Sequence, residues 1–198
     1  MNVRNLIEHY ANDTQLHVPV RKIRDHIIQK LDIKDRIQFV GVEIDVEVLR
    51  AFLHQYKEKE INGSALRPMA CADIYYDHRQ PIDWQRLVCC KELLHLMDPA
   101  EYKTKTPEHV KKQIERIALP PGMEPIRTDG MRVWGDKLAD LQAIALLFPM
   151  EARRVLMSKV DQIGPENIAR VAKLPEKYVR WVMSPQWDEM YPTILLLP

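Results

Sequence analysis

The stretch Asp83-Trp-Gln-Arg-Leu-Val-Cys-Cys-Lys-Glu-Leu-Leu-His-Leu-Met97 decides how this chain folds. At helical spacing it is apolar on nearly every side, which is typical of a helix buried on all its faces. Its second half nevertheless carries three ionisable groups, Lys91, Glu92 and His95. Lysine and glutamate are seldom fully buried without a partner, because an unpaired buried charge is very costly. Whatever meets these three side chains therefore indicates what the protein does.

Composition points to one soluble cytoplasmic domain over residues 1–198. The net charge of +1 gives no general attraction to nucleic acid or to an acidic membrane. The three cysteines are odd in number and two are adjacent, which favours a reducing compartment over a disulfide framework. No segment resembles a signal peptide, and apolar runs such as 141–150 are too short to span a bilayer.

Hydrophobic periodicity predicts an α+β protein that is mostly helical, with two or three short strands. Residues 36–44 and 71–76 have the composition of strands, and the Asn62-Gly63 pair centres a turn over 61–68. Asp83 is placed to cap the central helix, and Asp98-Pro99 ends it. Other helices are expected over residues 3–10, 18–31, 45–57, 107–117, 135–148, 151–161, 167–173 and 175–183. Residues 119–130 are expected to form a loop, and 187–198 to pack down.

Glu92-x-x-His95 is three quarters of the zinc-binding pattern H-E-x-x-H. In that pattern two histidines at i and i+4 bind zinc from one helical face, and the glutamate activates the bound water. Here Lys91 occupies the first histidine position, and an ammonium group has no lone pair with which to bind a metal. On the residues alone, His95 could equally be a hydrogen-bonded core histidine, with Lys91 reaching outward to solvent.

A later segment, Asp136-Lys-Leu-Ala-Asp-Leu-Gln-Ala-Ile-Ala-Leu-Leu-Phe-Pro149, adds to this pattern. Together with residues 86–96 it resembles the ImmA/IrrE family of zinc peptidases. The family's active helix looks like R-F-T-x-A-H-E-L-G-H, and a later helix like E-x-E-A-D-x-F-A-x-x-L-L-M-P. The residues of this chain that match are Arg86, Glu92, Leu93, His95, Ala139, Asp140, Ala143, Leu146, Leu147 and Pro149.

The resemblance covers roughly residues 71–183 and implies a zincin-like active-site helix, a small β-sheet and a C-terminal helix pair. It places the strand 71–76 at the sheet edge. It divides the domain into an N-terminal portion of about 1–60 and a metallopeptidase-like core of about 66–183. It also implies Glu92 as the catalytic base, His95 and Asp136 as zinc ligands, and Asp140 as a residue that supports those ligands.

Three departures from the family pattern indicate a degenerate site. Lys91 replaces the first histidine ligand, Leu94 replaces a small residue, and Asp136 is one methylene shorter than the usual glutamate. The resemblance therefore implies a bacterial or phage regulatory protein that binds a protein partner, without a cofactor. We expect Lys91 to take the place of the metal, with its ammonium group directed inward to the carboxylate of Asp136.

Two other functions stay open at this point. An active zinc peptidase that cleaves a regulatory protein would need a replacement ligand, such as Cys90 or His78. A DNA-binding regulator would use residues 167–183 as a helix pair, with Lys173, Lys177 and Arg180 on phosphates. Cys89 and Cys90 are expected to be inert packing residues, because cysteines on a buried helix usually are.

Overall fold

The computed structural model describes residues 2–31, 33–47, 49–62, 65–98 and 129–196, and only the backbone at residues 31, 61, 62, 65, 129–134 and 136. The predicted helix over 107–117 and most of the predicted loop over 119–130 lie outside these ranges. The described residues form a mixed α+β fold, as predicted, with one three-stranded sheet and several helices after it.

The first half of the chain supplies two helices and the sheet. The elements are α1 (Val3–Ala11), α2 (Val20–His26) with a π-helical turn (Ile27–Leu31), β1 (Arg36–Val42), β2 (Ala51–Asn62) and β3 (Ala65–Asp77). The strand order is β1-β3-β2, in which β1 runs parallel to β3 and β2 pairs with β3 antiparallel. Residues 71–76 therefore lie in the central strand, and the expectation of an edge strand is wrong.

Strand β2 corrects the prediction of a helix over 45–57. The apolar residues of that stretch fit helical spacing, but residues 51–54 also alternate, with Ala51 and Leu53 facing inward. Phe52 lies opposite Tyr75 on β3, and their rings stack with centroids 4.8 Å apart. Such cross-strand contacts stabilise a strand, but the periodicity of the local sequence does not reveal them. The turn predicted over 61–68 is wrong for its described residues, because β2 continues to Asn62 and β3 begins at Ala65.

The second half of the chain is helical throughout its described part. The elements are α3 (Ile82–Leu94) with a 3-10 turn (His95–Met97), α4 (Asp129–Leu147), α5 (Met150–Met157), α6 (Val160–Ile163), α7 (Pro165–Ala172), α8 (Glu176–Val182) and α9 (Pro185–Leu196). Asp83 lies inside the first turn of α3, since Pro81 is the N-cap residue, so the predicted cap is wrong. Trp187 and Ile194 of α9 are buried, which confirms that the apolar end packs down.

Helix α3 is the central element, as its sequence predicts. It packs against β2 and β3 on one side and against α4 on the other. Its buried residues Leu87, Leu93 and Leu94 belong to one core that also includes Ile144 of α4 and Ile74 of β3. Because α3 packs against apolar residues of the sheet and of α4, it does not need a solvent-exposed polar face. A charged side chain on α3 therefore needs a partner inside the protein.

An arginine of α3 ties several segments together through backbone carbonyl groups. Arg86 of α3 donates hydrogen bonds to the carbonyl oxygens of Ala172 and Lys173, where α7 ends, and to that of Val18. A cation at the carboxyl end of a helix also interacts favourably with the helix dipole. The arginine that matches the family pattern therefore joins three segments of the fold.

None of the helices among the described residues is long and apolar enough to cross a lipid bilayer.

Candidate functional site

The last turn of α3 holds the residues that the sequence singles out. The backbone N–H of His95 bonds to the carbonyl of Lys91, so the helical turn continues up to His95. From there the chain tightens into the 3-10 turn and turns extended at Asp98. Lys91 and His95 therefore keep the i, i+4 spacing that places two side chains on one helical face.

Lys91 makes an ion pair with Asp140 of α4. The distance from Lys91 Nζ to Asp140 Oδ1 is 3.4 Å, and the two side chains are 14% and 35% exposed. The lysine is directed to the interface between α3 and α4, as predicted, and does not reach outward to bulk solvent. The pair confirms that the two helices meet through their charged residues as well as through the core.

Asp140 is the partner of Lys91 among the described side chains. The two aspartates are i and i+4 on α4 and share a helical face. The side chain of Asp136 lies outside the described residues, so its predicted part in the site stays a prediction. Asp140, which the resemblance assigns to supporting the zinc ligands, is thus in contact with Lys91.

His95 has a carboxylate partner of its own. Its Nδ1 lies 2.7 Å from Oδ2 of Asp98, three residues later in the 3-10 turn. A carboxylate on Nδ1 fixes the tautomer and the orientation of an imidazole ring. Metal-binding histidines are often held in this way, but so are structural ones. Asp98 was not singled out in the sequence, although the i, i+3 spacing in a helical turn could have indicated it.

Glu92 lies half-buried on the next face of α3. Burial, and after it the negative charge of Glu92, raises the pKa of the Cys89 thiol to about 12. The predicted role of Glu92 as a catalytic base remains a prediction.

The position of Lys91 itself does not suit a zinc ligand. Among the residues that the structure describes, no three His, Cys, Asp or Glu side chains converge in a group that could hold a metal. The first ligand position is occupied by an ammonium group that instead neutralises Asp140. A dication beside this ammonium would meet a like charge where the zinc pattern needs a lone pair.

Neither replacement ligand is well placed. Cys90 is fully buried, which raises the pKa of its thiol and opposes the thiolate that a metal requires. His78 precedes α3, and its Nδ1 lies 2.9 Å from the carbonyl of Val42. The whole length of α3, which is 13 residues and a rise of roughly 20 Å, lies between His78 and His95. Both cysteines have the raised thiol pKa of inert packing residues, as predicted.

Most of the basic side chains in the helix pair proposed for DNA binding contact other side chains of the protein. Arg180 pairs with Glu176 on the same helix. Lys177 Nζ lies 4.7 Å from the ring centroids of both Trp84 and Tyr178. Lys173 ends α7 in a left-handed conformation. Arg180 and Lys177 thus have partners on the protein itself, although the Arg180 pair is at the surface, and this weakens the case for a phosphate-binding surface.

No protein-family model, no curated protein and no solved structure matches this chain. The resemblance to ImmA/IrrE peptidases therefore rests on the residues of the two segments quoted above and stays a prediction. The geometry around Lys91 is therefore the basis on which a function can be proposed.

Proposed function

We propose that this protein is a catalytically inactive ImmA/IrrE-type metallopeptidase homologue that acts as a regulatory, protein-binding module. The observation that carries the proposal is the ion pair between Lys91 and Asp140 across α3 and α4. In the zinc pattern this helical face holds a metal that polarises the scissile carbonyl and activates water. An ammonium group supplies one positive charge and three hydrogen-bond donors, but it cannot deliver a metal-bound hydroxide.

The ion pair also gives a reason for the fold to persist without a metal. A carboxylate in a half-buried site needs a cation or a proton, because burial disfavours its charged form. Lys91 supplies that cation from the adjacent helix, so α3 and α4 remain joined where a metal would otherwise join them. The surface around the former active site would then be free to bind a protein without cleaving it.

Zinc titration of a Lys91→His variant tests this proposal. The change places an imidazole at i, i+4 from His95, as in H-E-x-x-H. By isothermal titration calorimetry, Lys91→His is expected to bind zinc at least about tenfold more tightly than the unaltered protein. The matched control is Lys57→His, on the exposed part of β2, which is expected to change nothing.

Two results would oppose the proposal. One is stoichiometric, tight zinc binding by the unaltered protein that is lost in His95→Ala, since this would indicate a working metal centre. The other is a folded Lys91→His variant with no gain in zinc affinity, since Lys91 would then not occupy a former ligand position.

A further inference from the structure

A second cluster of ionisable groups lies away from Lys91, where α1 meets the end of α2. His9, in the last turn of α1, and His26, the last residue of α2, have ring centroids 4.4 Å apart with an interplanar angle of 57°. Tyr10 completes the cluster, with its ring centroid 6.0 Å from that of His26. Its hydroxyl donates to the carbonyl of Lys22 at 3.4 Å. The cluster therefore joins α1 to α2.

The surroundings of the two imidazoles offer no acidic partner. Within the described ranges, neither ring lies at ion-pair distance from a carboxylate, and the buried Nε2 of His26 has no hydrogen-bond partner. Lys30, beyond the end of α2, adds positive charge near His26. The acids that act on Tyr10 are engaged elsewhere, since Asp13 pairs with Lys22 and Asp25 with Arg24. Glu8, which precedes His9 in the sequence, pairs with Arg4. From α3, Cys90 faces Tyr10 with its neutral thiol.

We propose that the contact between His9 and His26 is an acid-sensitive latch that holds α1 against α2 and releases it when the imidazoles become protonated. Two imidazolium rings at this separation would repel each other, and no described carboxylate pairs with either ring to offset the repulsion. A protonated Nε2 on His26 would also be a buried donor without an acceptor. Both costs disappear when α1 moves away and the rings reach water.

The pKa of His26 is shifted in the direction that such a latch requires. Burial lowers the pKa of His26 below its ordinary value of 6.5, and the positive charges of His9 and Lys30 lower it further. The released state therefore takes up protons more readily than the docked state. Docking is complete above pH 6.5 and is lost as the pH falls through the lowered pKa of His26.

Release of α1 would uncover apolar surface. The side chains of Val3, Leu6, Ile7 and Tyr10 on α1 are all buried, and α1 packs against α4 and α9. Opening the latch would expose this apolar stripe and the faces of α4 and α9 beneath it. In mild acid the protein would thus present an apolar surface that is covered at neutral pH. The latch is independent of the pair between Lys91 and Asp140.

Amide hydrogen exchange as a function of pH tests the latch on the intact chain. Between about pH 7.5 and pH 5.5, the protection factors of the α1 amides are expected to fall several-fold, up to about tenfold, beyond the intrinsic pH effect. Those of α3 are expected to stay constant. His9→Gln and His26→Gln, which remain neutral at every pH, are expected to remove this pH dependence. His9 is exposed, so His9→Gln should fold even if His26→Gln does not.

His17→Gln and His54→Gln are the matched controls. Burial also lowers the pKa of His17, so its contribution must be separated from that of His26. Both controls are expected to keep the loss of protection in α1. Constant protection of α1 in the unaltered protein would overturn the latch. So would a pH dependence that persists in His9→Gln, or a loss of protection in α1 and α3 together.

Discussion

Two cations lie inside the helical half of this protein, and they are held differently. Arg153 of α5 has a side chain only 3% exposed, and its guanidinium donates to the carbonyls of Val182 and Ser184 and to both carboxylate oxygens of Asp188. Lys91 is 14% exposed and meets Asp140 at 3.4 Å. Arg153 has the short, planar, multiply bonded geometry of a residue selected for stability. Lys91 has the looser geometry of a point charge placed beside a carboxylate.

The difference between Arg153 and Lys91 shows that a charged side chain can be retained inside a fold for two different reasons. Arg153 fastens α5 to the end of α8 and to α9, and its removal would take a donor from the carbonyl groups of Val182 and Ser184 and the cation from Asp188. Lys91 sits on the face where the sequence pattern has a zinc ligand, and its partner remains partly hydrated. We therefore expect the arginine to matter more for stability and the lysine to matter more for the identity of the site.

The largest effect is expected from Arg153→Met. The change removes a buried donor of four short hydrogen bonds, and we expect the free energy of unfolding to fall by about 3 kcal/mol or more. Urea denaturation measures this change. Arg154→Met is the matched control, because Arg154 is exposed and pairs only at the surface with Glu151, a contact worth about 0.5 kcal/mol or less. Equal effects for the two variants would refute the role assigned to Arg153.

A smaller effect is expected from Lys91→Met. The side chain keeps its apolar stem but loses its charge, so Asp140 loses its cation while staying partly exposed to water. We expect the free energy of unfolding to fall by about 1–2 kcal/mol at pH 7. Lys57→Met, at an exposed position of β2, is the control. A loss as large as that of Arg153→Met would mean that the two cations are equivalent.

The sequence predicted best those elements whose signal is local. The buried helix around Leu87 and Leu93 follows from periodicity, as do β1 and the helices after residue 129. Strand β2 was missed because its residues are selected by partners on β3, such as Tyr75 opposite Phe52. A helical pattern and a strand pattern coexist in such a stretch, and only the distant partner decides between them.

In the candidate site, too, the features that could be predicted from the sequence are those with a local signal. The inward direction of Lys91 follows from its position among apolar residues on α3. Its described partner, Asp140, lies one turn from the predicted Asp136, because spacing defines a helical face but not which of two turns on it makes the contact. Arg153 was not singled out, since its partner Asp188 lies 35 residues later and on another helix. No local pattern links two such positions.

A double-mutant cycle between Lys91 and Asp140 tests the central claim most directly, which is that an ion pair joins α3 and α4 in place of a metal. Lys91→Met, Asp140→Asn and the double variant would be unfolded in urea, with EDTA and with added zinc. We predict a coupling free energy of at least about 0.5 kcal/mol that is the same in both conditions. Additive effects within about 0.3 kcal/mol, or a coupling that appears only with zinc, would contradict it.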